Sequence, residues 1–223
     1  MRKMTTETDA RKDLINACRE MNAVGLNQGT SGNISVRHRD QMLISPSAVP
    51  YDQLAPDMIA SMDLSGSMTG EWDGPLKPST EWRFHWKLLN ERGDLSAIVH
   101  AHPVHCTALA ILRRSIPACH YMIAAFGGSD VRCADYHTFG TVELADMVVD
   151  AMTDRTACLL ANHGMVAGGG NIAQAMWRAV ELETIAHQYH LALQIGDPVL
   201  LSEEEIDETL KLFAGYGLQD TRA

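Results

Sequence analysis

Apolar residues recur at helical spacing near the start of the chain. Leu14, Ile15, Cys18 and Met21 share one face of a predicted helix over 8–24, which Gly25 ends. Short apolar runs bounded by turn residues follow. The stretches 34–36, 42–44 and 58–63 read as strands, with turns at 29–33, 45–48 and Ser65-Gly66. Lys77-Pro78-Ser79-Thr80 leads into a helix over 81–91. A strand at 96–102 precedes a helix at 104–113, and 119–126 is apolar and strand-like. A helix at 141–153, a strand at 156–162 and a glycine-rich hairpin to 170 come next. Asn171 is placed to cap a long helix to Ile195, which Gly196 and Pro198 stop. Ser202 and Glu205 have the spacing of a capping box for a last helix over 203–214. Strands and helices alternate with no repeat, linker or low-complexity tract, which predicts one α/β domain over 1–223.

Composition narrows the function classes. A net charge of −10 argues against nonspecific binding to nucleic acid or to an anionic membrane. No apolar run nears the roughly eighteen residues of a membrane span, and the N-terminal stretch has no apolar signal core. The five cysteines are odd in number and lack C-x-x-C spacing, so reduced thiols in a cytoplasmic protein are expected. No G-x-G-x-x-G or P-loop follows a strand, and no G-x-S-x-G elbow occurs, so nucleotide sites and hydrolase triads are disfavoured. Lys77 and Lys87 read as surface or loop residues, which leaves no obvious Schiff-base nucleophile.

Chemistry concentrates in A-I-V-H-A-H-P. His100 and His102 are two apart on a strand that Pro103 ends, so both imidazoles face one way. Two convergent histidines are two-thirds of a catalytic zinc site, though they equally fit a hydrogen-bonded core pair. His163, at a strand end beside Gly164, is a third candidate, since glycine removes a neighbouring side chain from its path. His187 and His190, three apart on a helix, read as a polar helix face, and His105 faces elsewhere. Pro78-Ser79-Thr80-Glu81 opens a helix, where free N–H groups and the dipole attract anions. Gly32-Asn33 and 45–48 are turns of the same small, donor-rich kind, and three such turns suit one phosphate group. Taken singly, each reads as a cap or β-turn. Glu81 complements the helix dipole, or else places a carboxylate beside a metal for acid–base work.

These segments carry a family resemblance. N-Q-G-T-S-G-N-I-S-V-R (27–37), I-S-P-S-A-V-P-Y (44–51), P-S-T-E-W-R-F-H (78–85), V-H-A-H-P-V-H-C-T-A (99–108), S-I-P-A-C-H-Y-M-I-A-A (115–125) and N-H-G (162–164) closely resemble the class II aldolase/adducin-like family. The resemblance runs from about residue 8 to Gly217 in one order. It implies an α/β/α sandwich around a largely antiparallel central sheet, assembled as a homotetramer with sites at subunit interfaces. It implies Zn2+, or another divalent metal such as Mn2+ or Co2+, held by His100, His102, His163 and Glu81. Substrate phosphate would meet Gly32, Asn33, Ser47, Ala48, Ser79 and Thr80. The family has glycine where Ala48 stands, so the added methyl is expected to shift that loop. Tyr121 matches a tyrosine that reaches the neighbouring subunit's site, and Phe139, Phe213 and Tyr216 match positions at the aldehyde end.

The implied reaction is reversible cleavage of a ketose 1-phosphate to dihydroxyacetone phosphate and an aldehyde, with Glu81 and Tyr121 moving protons. L-Fuculose 1-phosphate, giving L-lactaldehyde, is the first substrate expectation. The alternatives are 5-deoxyribulose or 5-methylthioribulose 1-phosphate. Remoter relatives are pentulose-phosphate 4-epimerases, sugar-acid phosphate decarboxylases and non-catalytic adducin-like modules.

Overall fold

The computed structural model describes residues 6–213. Its frame is a seven-stranded sheet in the order β3-β2-β1-β4-β7-β6-β5. The strands are β1 (Asn33–His38), β2 (Gln41–Ile44), β3 (Ala60–Asp63), β4 (Ala97–Ala101), β5 (Cys133–Ala134), β6 (Ala157–Leu160) and β7 (Gly164–Gly169). Every pairing is antiparallel except β5 with β6. The helices are α1 (Glu7–Ala23), α2 (Trp82–Glu91), α3 (Val104–Ile111), α4 (Val142–Ala151), α5 (Ile172–Ile195) and α6 (Glu203–Phe213).

Alternation along β4 and β6 divides the core into two layers. Ala97, Val99 and Ala101, with Ala157 and Leu159, pack among α1, α3 and α5. Ile98, Cys158 and Leu160 face the other way, against Phe84 and Leu88 of α2 and Leu144 and Val148 of α4. The α/β/α sandwich is therefore present, with a largely antiparallel sheet. A satellite cluster seats Ile206 of α6 on Ala118 and Ala124.

The caps foreseen form as expected. The Asn171 side chain accepts from the Gln174 amide at 2.9 Å. Ser202 and Glu205 exchange bonds in both directions, at 2.8 and 3.2 Å. Other expectations need correction. The stretch expected to be a strand over 119–126 holds a 3-10 helix, Tyr121–Phe126, opened by His120 and closed by Gly127 at φ +98°. Its buried residues include Ile123 and Phe126, three apart, with Tyr121 exposed, which is a helical rather than a two-residue period. The glycines at 168–169 lie within β7, while the hairpin turns at 161–163. A Cβ on Gly169 would meet the Ala175 amide at 2.6 Å, so this glycine lets α5 sit close on the sheet.

Candidate active site

The register of β4 assembles the site. His100 lies opposite Asn33 on β1 and Val166 on β7, in the middle of the sheet. Its ring is fully buried, and its Nδ1 donates to the Met165 carbonyl at 2.8 Å. That bond commits Nδ1 as a donor and leaves Nε2 as the nitrogen that faces Glu81 and the pocket. His102 follows two residues on and turns the same way, placing its Nε2 3.1 Å from His100 Nε2. His163 comes from the β6–β7 turn, whose Asn162 adopts φ +54°, a left-handed conformation that asparagine tolerates. Ligand nitrogens of His100, His102 and His163 all lie within 4.8 Å of one another.

Glu81, the residue before α2, is 5% exposed. Its Oε2 lies 3.1 Å from His100 Nε2 and accepts from Asn33 Nδ2 at 3.1 Å. Oε1 lies 3.2 Å from His163 Nε2, yet it is buried and accepts no aligned hydrogen bond. Burial acts to raise the Glu81 pKa, but His100 and His163 outweigh it and hold the carboxyl well below the usual range. Burial also acts to lower His100, and the adjacent Glu81 carboxylate reverses this to a net rise. Burial, then the His100 and His163 charges, push His102 down to about 3.

A divalent metal fits these residues. Two imidazole Nε2 atoms face each other at hydrogen-bond distance, and a buried carboxylate oxygen beside them has no aligned donor. Three nitrogens and a carboxylate are also the donor set of a catalytic zinc-type centre.

The three small turns meet beside this cluster. The Ile34 amide donates to Ser45 Oγ at 3.2 Å, and the Ser79 amide donates to the Ser45 carbonyl at 3.0 Å. The Ser47 amide donates to the Lys77 carbonyl at 3.2 Å. Gly32 is required by space: a Cβ there would lie 2.8 Å from the His100 carbonyl oxygen. Ala48 adopts φ +59°, a backbone that favours glycine, so the loop keeps a glycine-like conformation despite its methyl. Ser79 Oγ accepts from the Glu81 amide at 3.3 Å, and Thr80 is exposed on the pocket wall. Asn33 is more deeply engaged than a turn residue, being buried between Glu81 and His85.

The histidine pocket, about 350 Å³, is lined by Glu81, His102, His163 and Phe139, and also by Tyr136 and His137. Sequence reading overlooked the last two, because they follow β5, a two-residue strand with no motif around it. His85 was also overlooked, although it lies four residues after Glu81, one helical turn away. Burial, then the His100 charge, push His85 down to about 3. Tyr121 and Phe213 do not reach this pocket within one chain. They line a separate groove of about 300 Å³ with Met122, Thr209 and Leu212. Tyr216 lies outside the described residues. His105 faces elsewhere, as expected. It pairs with Glu183 at 2.7 Å and stacks on His187 at 3.8 Å between ring centroids.

Comparison with known proteins identifies the family. A family profile described as "Class II Aldolase and Adducin N-terminal domain" matches residues 12–190. The chain is 49% identical over 209 residues to L-fuculose phosphate aldolase of Escherichia coli, covering 93% of this chain and 95% of the relative. It is 48% identical over 207 residues to the 5-methylthioribulose-1-phosphate/5-deoxyribulose-1-phosphate aldolase of Rhodospirillum rubrum, covering 93% and 92%. A solved L-fuculose 1-phosphate aldolase superposes with a TM-score of 0.88 at 39% identity, covering 95% of this chain and 99% of that one. The chain belongs to the class II aldolase and adducin family and is an aldolase, hence a lyase, of that metal-dependent class.

Proposed function

We propose that this enzyme reversibly cleaves L-fuculose 1-phosphate, or a closely similar ketose 1-phosphate, to dihydroxyacetone phosphate and L-lactaldehyde. The carrying observation is the convergence of His100, His102 and His163 on a buried Glu81 whose Oε1 has no aligned donor, beside three donor-rich turns. His100, His102, His163 and, before substrate binds, Glu81 would hold Zn2+, or Mn2+ or Co2+. When bound, the cation supplies Lewis-acid stabilisation of the charge that C3–C4 cleavage leaves on the ketone fragment.

The chain's own residues do the rest. Glu81 delivers a proton to C3 after cleavage and removes it in the synthetic direction. Gly32, Asn33, Ser47, Ala48, Ser79 and Thr80 hold the phosphate and so orient the reacting carbons. Tyr121 moves the proton of the C4 oxygen in a neighbouring copy, within a homotetramer. Its exposure of 54% and its separation from its own chain's histidine pocket support that reading. Phe139, with Phe213 and Tyr216 of a neighbouring copy, shapes the aldehyde end. Cytoplasmic residence fits five free cysteines and, among the described residues, no helix long and apolar enough to cross a membrane. The similar identity to the R. rubrum enzyme supports a second reading, in which 5-methylthioribulose or 5-deoxyribulose 1-phosphate is the substrate.

A coupled assay for dihydroxyacetone phosphate tests this. Metal-loaded protein is offered the three sugar phosphates, with and without chelator. Chelator-sensitive release is expected, fastest in kcat/KM from L-fuculose 1-phosphate. A higher kcat/KM for a 5-substituted ribulose establishes the second reading, and release from none overturns both.

A further inference from the structure

A buried chain of hydrogen bonds runs from β1 through α2 to the far side of Glu81. Asn33 and Ser35 are two apart on β1 and share one face. Glu81 and His85 are four apart at the start of α2 and share another. The two pairs interlock. Ser35 Oγ lies 2.7 Å from His85 Nδ1, His85 Nε2 lies 2.5 Å from Asn33 Oδ1, and Asn33 Nδ2 lies 3.1 Å from Glu81 Oε2. Ser35 and His85 are fully buried, and Asn33 is 3% exposed.

The donors in this chain run one way. A carboxylate only accepts, so the Asn33 amide must turn its NH2 group to Glu81 and its oxygen to His85. An amide oxygen also only accepts, so His85 donates from Nε2. Nδ1 then holds a lone pair, and the Ser35 hydroxyl donates to it. Histidine suits the middle position, since its neutral ring offers one donor and one acceptor on opposite sides. Flipping the amide would set its oxygen against the ionised carboxylate, and the buried carboxylate oxygen would lose a charge-assisted bond.

We infer that His85 is a positioning residue for proton transfer at C3: through Asn33 it pins Glu81 Oε2 and leaves Oε1 as the oxygen that exchanges the proton. This rests on the reading of Glu81 as the proton carrier. The same lock fixes which side of the Asn33 amide carries its N–H groups. His85 therefore also sets the direction of any bond that Asn33 makes to substrate.

The test is exchange of the C3 proton of dihydroxyacetone phosphate in D2O, followed by NMR without aldehyde. It compares metal-loaded wild type, Glu81→Gln, His85→Leu, His85→Gln and Ser35→Ala. His85→Leu should slow exchange about 10- to 100-fold, the usual scale for a residue that orients a reacting group, at unchanged bound metal. His85→Gln, which can still offer an N–H to Asn33, should recover most of that loss. Ser35→Ala removes the donor that fixes the ring tautomer and should slow exchange severalfold; it decides the matter if His85→Leu does not fold. The 15N spectrum of wild-type metal-free protein should show His85 as the Nε2–H tautomer. Wild-type exchange in folded His85→Leu, or in Ser35→Ala where His85→Leu does not fold, would overturn the inference. So would an Nδ1–H tautomer, or slowed exchange matched by loss of metal. If Glu81→Gln itself leaves exchange unchanged, the carrier reading fails instead.

Discussion

Gly164→Ala isolates how closely the strands beside the proposed metal ligands are built. Gly164 opens β7 directly against the end of β4, with a φ outside the left-handed region, so space rather than backbone freedom demands glycine. An added Cβ would lie 2.5 Å from the Ala101 carbonyl oxygen and 2.8 Å from His102 Cδ2. Reaching normal contact requires β4 and β7 to part by about 0.9 Å, and the His102 ring to yield by about 0.6 Å. Overpacking of this kind costs about 1–3 kcal/mol, which for a chain this size lowers Tm by roughly 2–4 °C per kcal/mol. Catalytic groups must be held within about 0.5 Å, so metal affinity should fall about 10- to 100-fold. The assays are thermal unfolding of metal-free protein and metal titration against a competing chelator. Gly93→Ala is the control, because a Cβ there meets nothing within 4 Å. Wild-type Tm and metal affinity in Gly164→Ala would refute the reasoning.

Four further outcomes are expected. Ala48→Gly relieves a left-handed residue worth about 1–2 kcal/mol, offset by about 0.4–1 kcal/mol of unfolded-chain entropy, so urea denaturation should show up to about 1.6 kcal/mol of added stability. Burial pushes His85 from the ordinary 6.5 down to about 3 in the folded chain, so the unfolded chain binds the extra proton between these values. Its contribution to stability is thus present above 6.5 and is lost as pH falls, by nearly 1.4 kcal/mol per unit once pH is below about 6; urea melts of metal-free wild type and His85→Gln at pH 6, 5 and 4 should differ by close to that slope. His102→Ala should lose bound metal, read by elemental analysis, and with it sugar phosphate cleavage. His137→Ala should raise KM for L-fuculose 1-phosphate roughly tenfold and leave 5-deoxyribulose 1-phosphate unchanged, if the imidazole meets the extra C5 hydroxyl; equal changes for both refute that contact.

The sequence by itself determined what short-range physics controls. Two-residue alternation turned His100 and His102 the same way, and a proline ended their strand. Asn171, Ser202 and Glu205 capped their helices through contacts only three residues long. The choice of glycine beside His163 was also legible, though not its reason, which is a carbonyl on another strand. Family motifs named the rest of the candidate site, because side-chain chemistry at fixed spacing survives in a linear string.

Only the tertiary structure decided which distant residues meet. The antiparallel register of β4 with β1 and β7 sets Asn33 and Met165 about His100, across separations of 67 and 65 residues. Asn33 looked like a phosphate-binding turn residue, but burial between Glu81 and His85 also commits its amide to the carboxylate. Tyr121 opens a 3-10 helix that turns Ile123 and Phe126 into the main core and Ala124 onto α6, a partner some eighty residues away that no local pattern announces. Local propensity chooses among conformations that differ by a few tenths of a kcal/mol per residue, whereas burial of a whole side chain is worth about 1.5–3 kcal/mol, so long-range packing settles the ambiguous segments.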